Sequence, residues 1–216
     1  MKRSELYRRV LAYFEDAMPD VESELDYKSP FELLVAVILS AQCTDKRVNM
    51  VTPALFAAYP TAEKMSEASV EDIYQYIKSV SYPNSKSRHL SEMSKMLVSD
   101  FGGEVPDTTE LLVRLPGVGR KTANVVQAVI WNKSTFAVDT HIFRVSHRLG
   151  LVNDKATTPY SVEKVLTSNI PAELIPRAHH WLLLHGRYVC QARKAKCDEC
   201  GLREICKSYN KAKKKQ

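Results

Sequence analysis

The chain has 216 residues, 44% of them hydrophobic and 26% charged, with 31 Lys and Arg against 25 Asp and Glu for a formal net charge of +6. This is the composition of a soluble globular protein, long enough for one large domain or two small lobes with real cores. The longest apolar run, Leu33 to Leu39, falls far short of the ~20 residues a bilayer span needs, and with mixed charges and no apolar stretch over Met1 to Arg9 no secretory signal is expected. The basic excess suits an anionic partner such as nucleic acid, although solubility alone explains it equally well. A cytoplasmic, reducing location is expected, nucleoid-associated if the source is bacterial. There the 5 cysteines do not read as a disulfide framework, and the four near the C-terminus suggest a metal.

The predicted elements are helical almost throughout. Leu6, Val10, Phe14 and Met18, with Leu11 beside them, mark one face of a first helix. Pro30 opens a second, Phe31 to Gln42, apolar nearly all round and so expected to be buried. Thr52-Pro53 is expected to break or restart the third. Ser69 with Asp72 reads as a capping box, and Asp107 with Glu110 as a looser one. Leu90, Met93, Leu97 and Phe101 define another helical face, stopped by Gly102-Gly103. Further helices are expected over 108–115, 121–131, 140–149, 161–169 and 176–188. Only Ser134–Val138 reads as a short extended stretch. The basic tail, Lys211 to Gln216, is expected to be frayed and solvated.

Two segments carry chemistry. In Leu115-Pro116-Gly117-Val118-Gly119-Arg120-Lys121-Thr122-Ala123, two glycines flank one apolar residue between two helices. The glycines allow a tight turn with positive φ, and Val118 can plug that turn into the core. Backbone N–H groups and the start of the next helix then face outward together, a natural cradle for a phosphate. The plainer alternative is an ordinary inter-helix turn, with Lys121 touching a phosphate at most. In the second segment, Cys190, Cys197, Cys200 and Cys206 are separated by six, two and five residues. Four thiolates suit tetrahedral zinc or an iron–sulfur cluster, and zinc ribbons usually show two close cysteine pairs where this chain has one. The loop between the first two cysteines holds Arg193, Lys194 and Lys196, which either meet DNA phosphates or are simply solvated. Cys43 stands outside the pattern and reads as a small buried residue.

Together these segments resemble the endonuclease III family. Leu115 to Val126 resembles its helix-hairpin-helix, and Val138-Asp139-Thr140-His141-Ile142-Phe143-Arg144-Val145 its catalytic-aspartate segment. His180-Trp181-Leu182 with Leu184-His185-Gly186-Arg187, and Leu39-Ser40-Ala41-Gln42-Cys43-Thr44-Asp45, match two further stretches. The likeness runs from about residue 25 to 206. It implies an all-α, two-lobed helix-hairpin-helix DNA glycosylase fold with a DNA cleft between the lobes. One lobe would be a continuous domain, 23–133, holding the hairpin at about 108–131. The other would join 1–22 to 134–216 and carry a 4Fe–4S cluster on Cys190, Cys197, Cys200 and Cys206.

The resemblance also implies a mechanism. Lys121 would attack C1′ of the deoxyribose, expel the damaged base and remain as a Schiff base, from which β-elimination breaks the 3′ phosphodiester. An amine attacks only when neutral, so this chemistry asks the helix start, Arg120 and partial desolvation to disfavour the charged form. Asp139, at a helix N-cap, would stabilise positive charge on the sugar and move protons. Gly117, Val118, Gly119 and Arg120 would hold phosphate, Gln42 would fill the space of the extruded base, and Tyr82 would wedge the duplex. Tyr82 departs from the family, where leucine is usual, which leaves opposite-base preference open. The expected partner is double-stranded DNA with damaged pyrimidines or abasic sites, bound by a monomer and without a membrane. The competing expectations are a mismatch-specific glycosylase, a non-catalytic helix-hairpin-helix module and an iron–sulfur redox regulator.

Overall fold

The computed structural model describes residues 1–214; Lys215 and Gln216, the end of the basic tail, lie outside the described residues. Among the described residues there is no strand, and no helix is long and apolar enough to cross a membrane. The chain divides into two compact units, 23–132 and 1–22 with 133–216.

The internal unit is built around its most apolar helix. Helix α2 (Pro30–Ser40) buries every residue from Phe31 to Leu39, which is why it carries no polar stripe. Its start is fixed locally: the Ser29 hydroxyl accepts from the Glu32 N–H at 3.2 Å, and the Glu32 carboxylate accepts from the Lys28 N–H at 2.6 Å. Helix α3 (Asp45–Ala58) runs straight through Pro53, against expectation. Pro53 is exposed, while Val48, Val51, Thr52 and Leu55 are buried on both sides of it. That packing offsets the ~3 kcal/mol an interior proline costs.

Short α4 (Ala62–Ser66) and α5 (Val70–Ile77) pack on α6 (Pro83–Phe101), and Ser69 and Asp72 form the capping box at the start of α5. Gly102 ends α6 in the left-handed region, and the Gly103 N–H reaches back to the Leu97 carbonyl at 2.9 Å. Helix α7 is shorter than expected, Thr109–Leu112, and its cap is Thr108, whose hydroxyl accepts from the Leu111 N–H, not Asp107. The three-residue-spaced bonds from the Arg114 and Leu115 N–H groups to the Leu111 and Leu112 carbonyls tighten the chain there, and Pro116 forbids further helix. Helix α8 (Arg120–Trp131) then packs on α2.

The terminal unit forms around α9 (Thr140–Leu149) and α11 (Ile175–Tyr188), with α10 (Pro159–Thr167) against α9. Helix α1 (Arg3–Ala17) lays Leu6, Tyr7, Val10, Leu11 and Phe14 into this core. Phe14 stacks on Trp181 with ring centroids 6.0 Å apart, the Trp181 Nε1–H donates to the Met18 carbonyl at 2.8 Å, and the Tyr7 hydroxyl donates to the Leu151 carbonyl at 3.0 Å. Residues 134–138 form no strand: Phe136, Ala137 and Val138 are apolar because they are buried, not because they pair with another segment. Lys211 and Lys213 are not frayed either. They end α12 (Lys207–Lys213), which packs on α9 with Lys207 against Gly150.

Candidate functional site

The hairpin joins α7 to α8. Gly117 takes φ +80, and a Cβ there would stand 2.9 Å from the His89 Cβ on α6, so the turn needs glycine twice over. Gly119 is different. Its φ of −92 and ψ of 175 suit any residue, and an added Cβ would meet nothing within 4 Å. Nothing inside the chain asks for glycine at 119. Val118 is buried in the internal core and anchors the turn. Gly119 is the N-cap of α8 and offers no side-chain acceptor to its first turn, whereas α2, α3 and α5 in the same unit each have one. Gly117, Gly119, Arg120 and Lys121 are all exposed or half-exposed at the surface. The result is an outward-facing helix start with the positive end of its dipole open to an anion. Lys121, the second residue of α8, is exposed.

Asp139 lies in the terminal unit as the N-cap of α9, and its carboxylate accepts from the Ile142 N–H at 2.8 Å. It is half-buried, leaving part of the carboxylate open to solvent. Gln42 and Tyr82 both lie in the internal unit. Both are exposed with backbones in the left-handed region, φ 54 and 57, and the Ser81 hydroxyl donates to the Gln42 carbonyl at 2.7 Å. Helix α2 therefore ends before Gln42, and Tyr82 is the N-cap of α6. Cys43 is half-buried against the internal core.

The four C-terminal cysteines line one cavity of ≈ 180 Å³, together with Arg148, Leu149, His185 and Val189. Burial pushes the Cys200 and Cys206 thiols up, and the neighbouring cysteine sulfurs push the same way. Bare thiolates are thus disfavoured here, and a positively charged metal group is what would stabilise them. Among the described residues no three His, Cys, Asp or Glu side chains are arranged to hold a single metal ion. The four cysteines line one void, and four thiol donors there fit a multi-atom group of soft metal character.

Two arginines on α9, outside the residues the sequence assigns to the site, hold the first part of this loop. Arg144 donates to the Cys190 carbonyl at 3.0 Å and the Gly186 carbonyl at 2.8 Å; Arg148 donates to the Gln191 carbonyl at 2.7 Å and the Ala192 carbonyl at 2.9 Å. Their spacing of four on one helix face was the available signal. His185 also lies against the cavity, its Nε2 3.8 Å from the Cys200 sulfur, and burial lowers its imidazole to about 4, leaving it neutral near pH 7. Arg193 and Lys194 are exposed on the loop, and the exposed Lys196 side chain forms an ion pair with the exposed Glu199 at 3.9 Å.

Residues 35–172 match the model of the HhH-GPD superfamily of base excision DNA repair proteins. Endonuclease III of Rickettsia conorii is 46% identical over 207 residues, which cover 96% of this chain and 98% of that protein. The chain belongs to the endonuclease III family. Endonuclease III of Escherichia coli strain K12 is 43% identical over 94% of this chain and 95% of its own length. Among solved structures, a trapped endonuclease III–DNA covalent intermediate, an estranged-adenine complex, matches with a TM-score of 0.92 and 40% identity, covering 99% of this chain and all of that one. The chain is accordingly a base-excision DNA-repair enzyme of endonuclease III type with the all-helical HhH-GPD fold.

Proposed function

We propose that this endonuclease III family member is a bifunctional enzyme. It removes oxidised or ring-damaged pyrimidines from double-stranded DNA and cuts 3′ to the resulting abasic site through a Schiff base on Lys121. The observation that carries this reading is the pairing, on one short segment, of an exposed amine with an uncapped helix start able to take a phosphate. A phosphate held by the N–H groups around Gly117–Arg120 fixes the register of the strand, and Lys121 follows directly on that cradle.

The neutral Lys121 nitrogen attacks C1′, and the C1′–N bond to the base breaks with its electron pair leaving on the base, which takes up a proton. Opening of the sugar ring gives the imine. Loss of a C2′ proton then drives cleavage of the C3′–O bond and releases the 3′ phosphodiester as a 5′-phosphate end. Asp139, kept oriented by the Ile142 N–H, stabilises the positive charge that develops on the sugar and serves in these proton transfers. The covalent intermediate trapped for the endonuclease III at 40% identity supports a covalent route.

Gln42 and Tyr82 enter the duplex when the damaged nucleotide leaves it, and Arg193, Lys194 and Lys196 meet backbone phosphates. Cys190, Cys197, Cys200 and Cys206 hold a 4Fe–4S cluster, which cross-links the loop bearing those cations. The protein acts as a monomer on its lesion. Borohydride reduction on a duplex with one abasic site tests the nucleophile. Wild type forms a trapped adduct; Lys121→Gln keeps DNA binding but forms none. Wild-type levels of adduct from Lys121→Gln would move the chemistry to another amine. A panel of duplexes with oxidised pyrimidines and with G·T and G·U mismatches separates this substrate class from the mismatch-specific alternative.

A further inference from the structure

Gln42 and Tyr82 are two of only three described non-glycine residues with positive φ, the third being Asn132. Side chains adopt that conformation at a cost, and it persists only where the surroundings over-determine it. The surroundings here include a buried lysine. Lys86 is 5% exposed, and burial lowers its ammonium below the usual lysine range. Its Nζ donates to the Leu39 carbonyl and the Ala41 carbonyl, each at 2.7 Å. These acceptors belong to the C-terminal end of α2, where carbonyls lack intrahelical donors and the dipole is negative. The cap of α2 therefore comes from the first turns of α6, more than forty residues along the chain.

Ser81 adds a third bond, to the carbonyl of Gln42 itself at 2.7 Å. Segment 81–86 thus grips the backbone on both sides of the Gln42 N–Cα bond, and the same segment carries Tyr82. The Lys86 N–H also bonds the Tyr82 carbonyl at 3.1 Å, so the ammonium that caps α2 and the residue that starts α6 share one turn of helix. We infer that Lys86 and Ser81 are positioning residues that bolt Gln42 and Tyr82 into one rigid, preorganised pair of prongs. This rests on the reading that those two side chains enter the duplex. Fixing two exposed side chains to a common base in the free protein means that little ordering remains to be done on DNA, so the pair inserts as a unit. A lysine that merely capped a helix would serve stability alike on every substrate. One that orients the prongs should matter only where a duplex must be opened.

The experiment compares Ser81→Ala and Lys86→Met in two backgrounds, wild type and Gln42→Ala/Tyr82→Ala. Three measurements are made: single-turnover removal of thymine glycol from a duplex, cleavage of an abasic site in a single strand, and fluorescence of 2-aminopurine placed opposite an uncleavable abasic analogue. In wild type, Ser81→Ala should slow duplex excision by roughly three- to tenfold, as expected for the removal of one neutral hydrogen bond, and Lys86→Met by more. The 2-aminopurine signal should fall in step, while single-strand cleavage stays within about twofold of wild type. In the Gln42→Ala/Tyr82→Ala background, neither change should slow duplex excision further, because there is nothing left to position. Equal slowing of the duplex and single-strand reactions, or the same slowing in both backgrounds, would overturn the inference and leave a structural cap. So would normal duplex excision by both Ser81→Ala and Lys86→Met while Gln42→Ala/Tyr82→Ala is slow. If Gln42→Ala/Tyr82→Ala itself excises normally, the insertion reading fails first and takes the inference with it. Should Lys86→Met not fold, Ser81→Ala, which removes one hydroxyl at a half-buried position, carries the test.

Discussion

Gly119→Ala adds a methyl group at a point where, apart from residue 119 and its two chain neighbours, no atom of the described residues lies within 4 Å, on a backbone that alanine adopts without strain. Reduced freedom of the unfolded chain favours the substitution by about 0.4–1 kcal/mol. Giving up a residue type preferred at N-caps opposes it by roughly a few tenths. The folded protein should therefore change by less than about 1 kcal/mol, a Tm shift within about 3 °C for a chain of this size. Gly117→Ala is the control. It forces a side chain into φ +80 and sets its Cβ 2.9 Å from that of His89. The conformation costs about 1–2 kcal/mol and the overlap a further ~1–3 kcal/mol. Its Tm should fall by roughly 5–15 °C.

Binding should give a different pattern. If a phosphate packs on the backbone at 119, the methyl group displaces it from one or two charge-assisted hydrogen bonds, about 1.5–3 kcal/mol each. Gly119→Ala should then bind an uncleavable abasic duplex at least tenfold more weakly by anisotropy titration, with a full Tm. The slope of log affinity against log salt should shrink by about 0.9, the value for a single phosphate that the protein no longer neutralises. Wild-type affinity and slope for Gly119→Ala would show that the hairpin does not hold phosphate through its backbone.

Asp139→Asn should leave Tm nearly unchanged, because asparagine caps a helix about as well as aspartate and can still accept from the Ile142 N–H. Single-turnover base removal should nonetheless fall by orders of magnitude, with some borohydride trapping retained on a preformed abasic site; a large drop in Tm would instead make the residue chiefly a structural cap. Arg193→Ala and Lys196→Ala should each flatten the salt slope by up to ~1, and two unchanged slopes would remove the loop from the interface. Anaerobically purified protein should be brown and contain iron and acid-labile sulfide in equal amounts, and Cys206→Ala should lose both; stoichiometric zinc without sulfide would exclude the cluster.

Much of this protein was legible along the chain because the deciding interactions are local. Leu33 to Leu39, an apolar run shortly after the helix-start signal Ser29-Pro30, reads as a buried helix, and it is one. Ser69 and Asp72 cap each other three residues apart, and Gly102-Gly103 supply the left-handed stop, so the ends of α5 and α6 follow from neighbouring residues. The hairpin sequence states its own turn, and the cysteine spacing puts four thiols in one short stretch of the chain.

Tertiary structure decided the rest. Pro53 sits inside α3 because buried neighbours outweigh its missing N–H, and their burial depends on the whole internal core. The two hairpin glycines look equivalent in sequence; only the approach of His89 shows that one is required by the fold and the other is not. Arg144 and Arg148 hold carbonyls more than forty residues away. Lys86 caps α2 over a similar separation, while the left-handed backbones of Gln42 and Tyr82 appear in no local preference of those residue types. Which donor meets a helix's unpaired carbonyls depends on which elements pack together. That is a property of the assembled core, and no spacing along the chain encodes it.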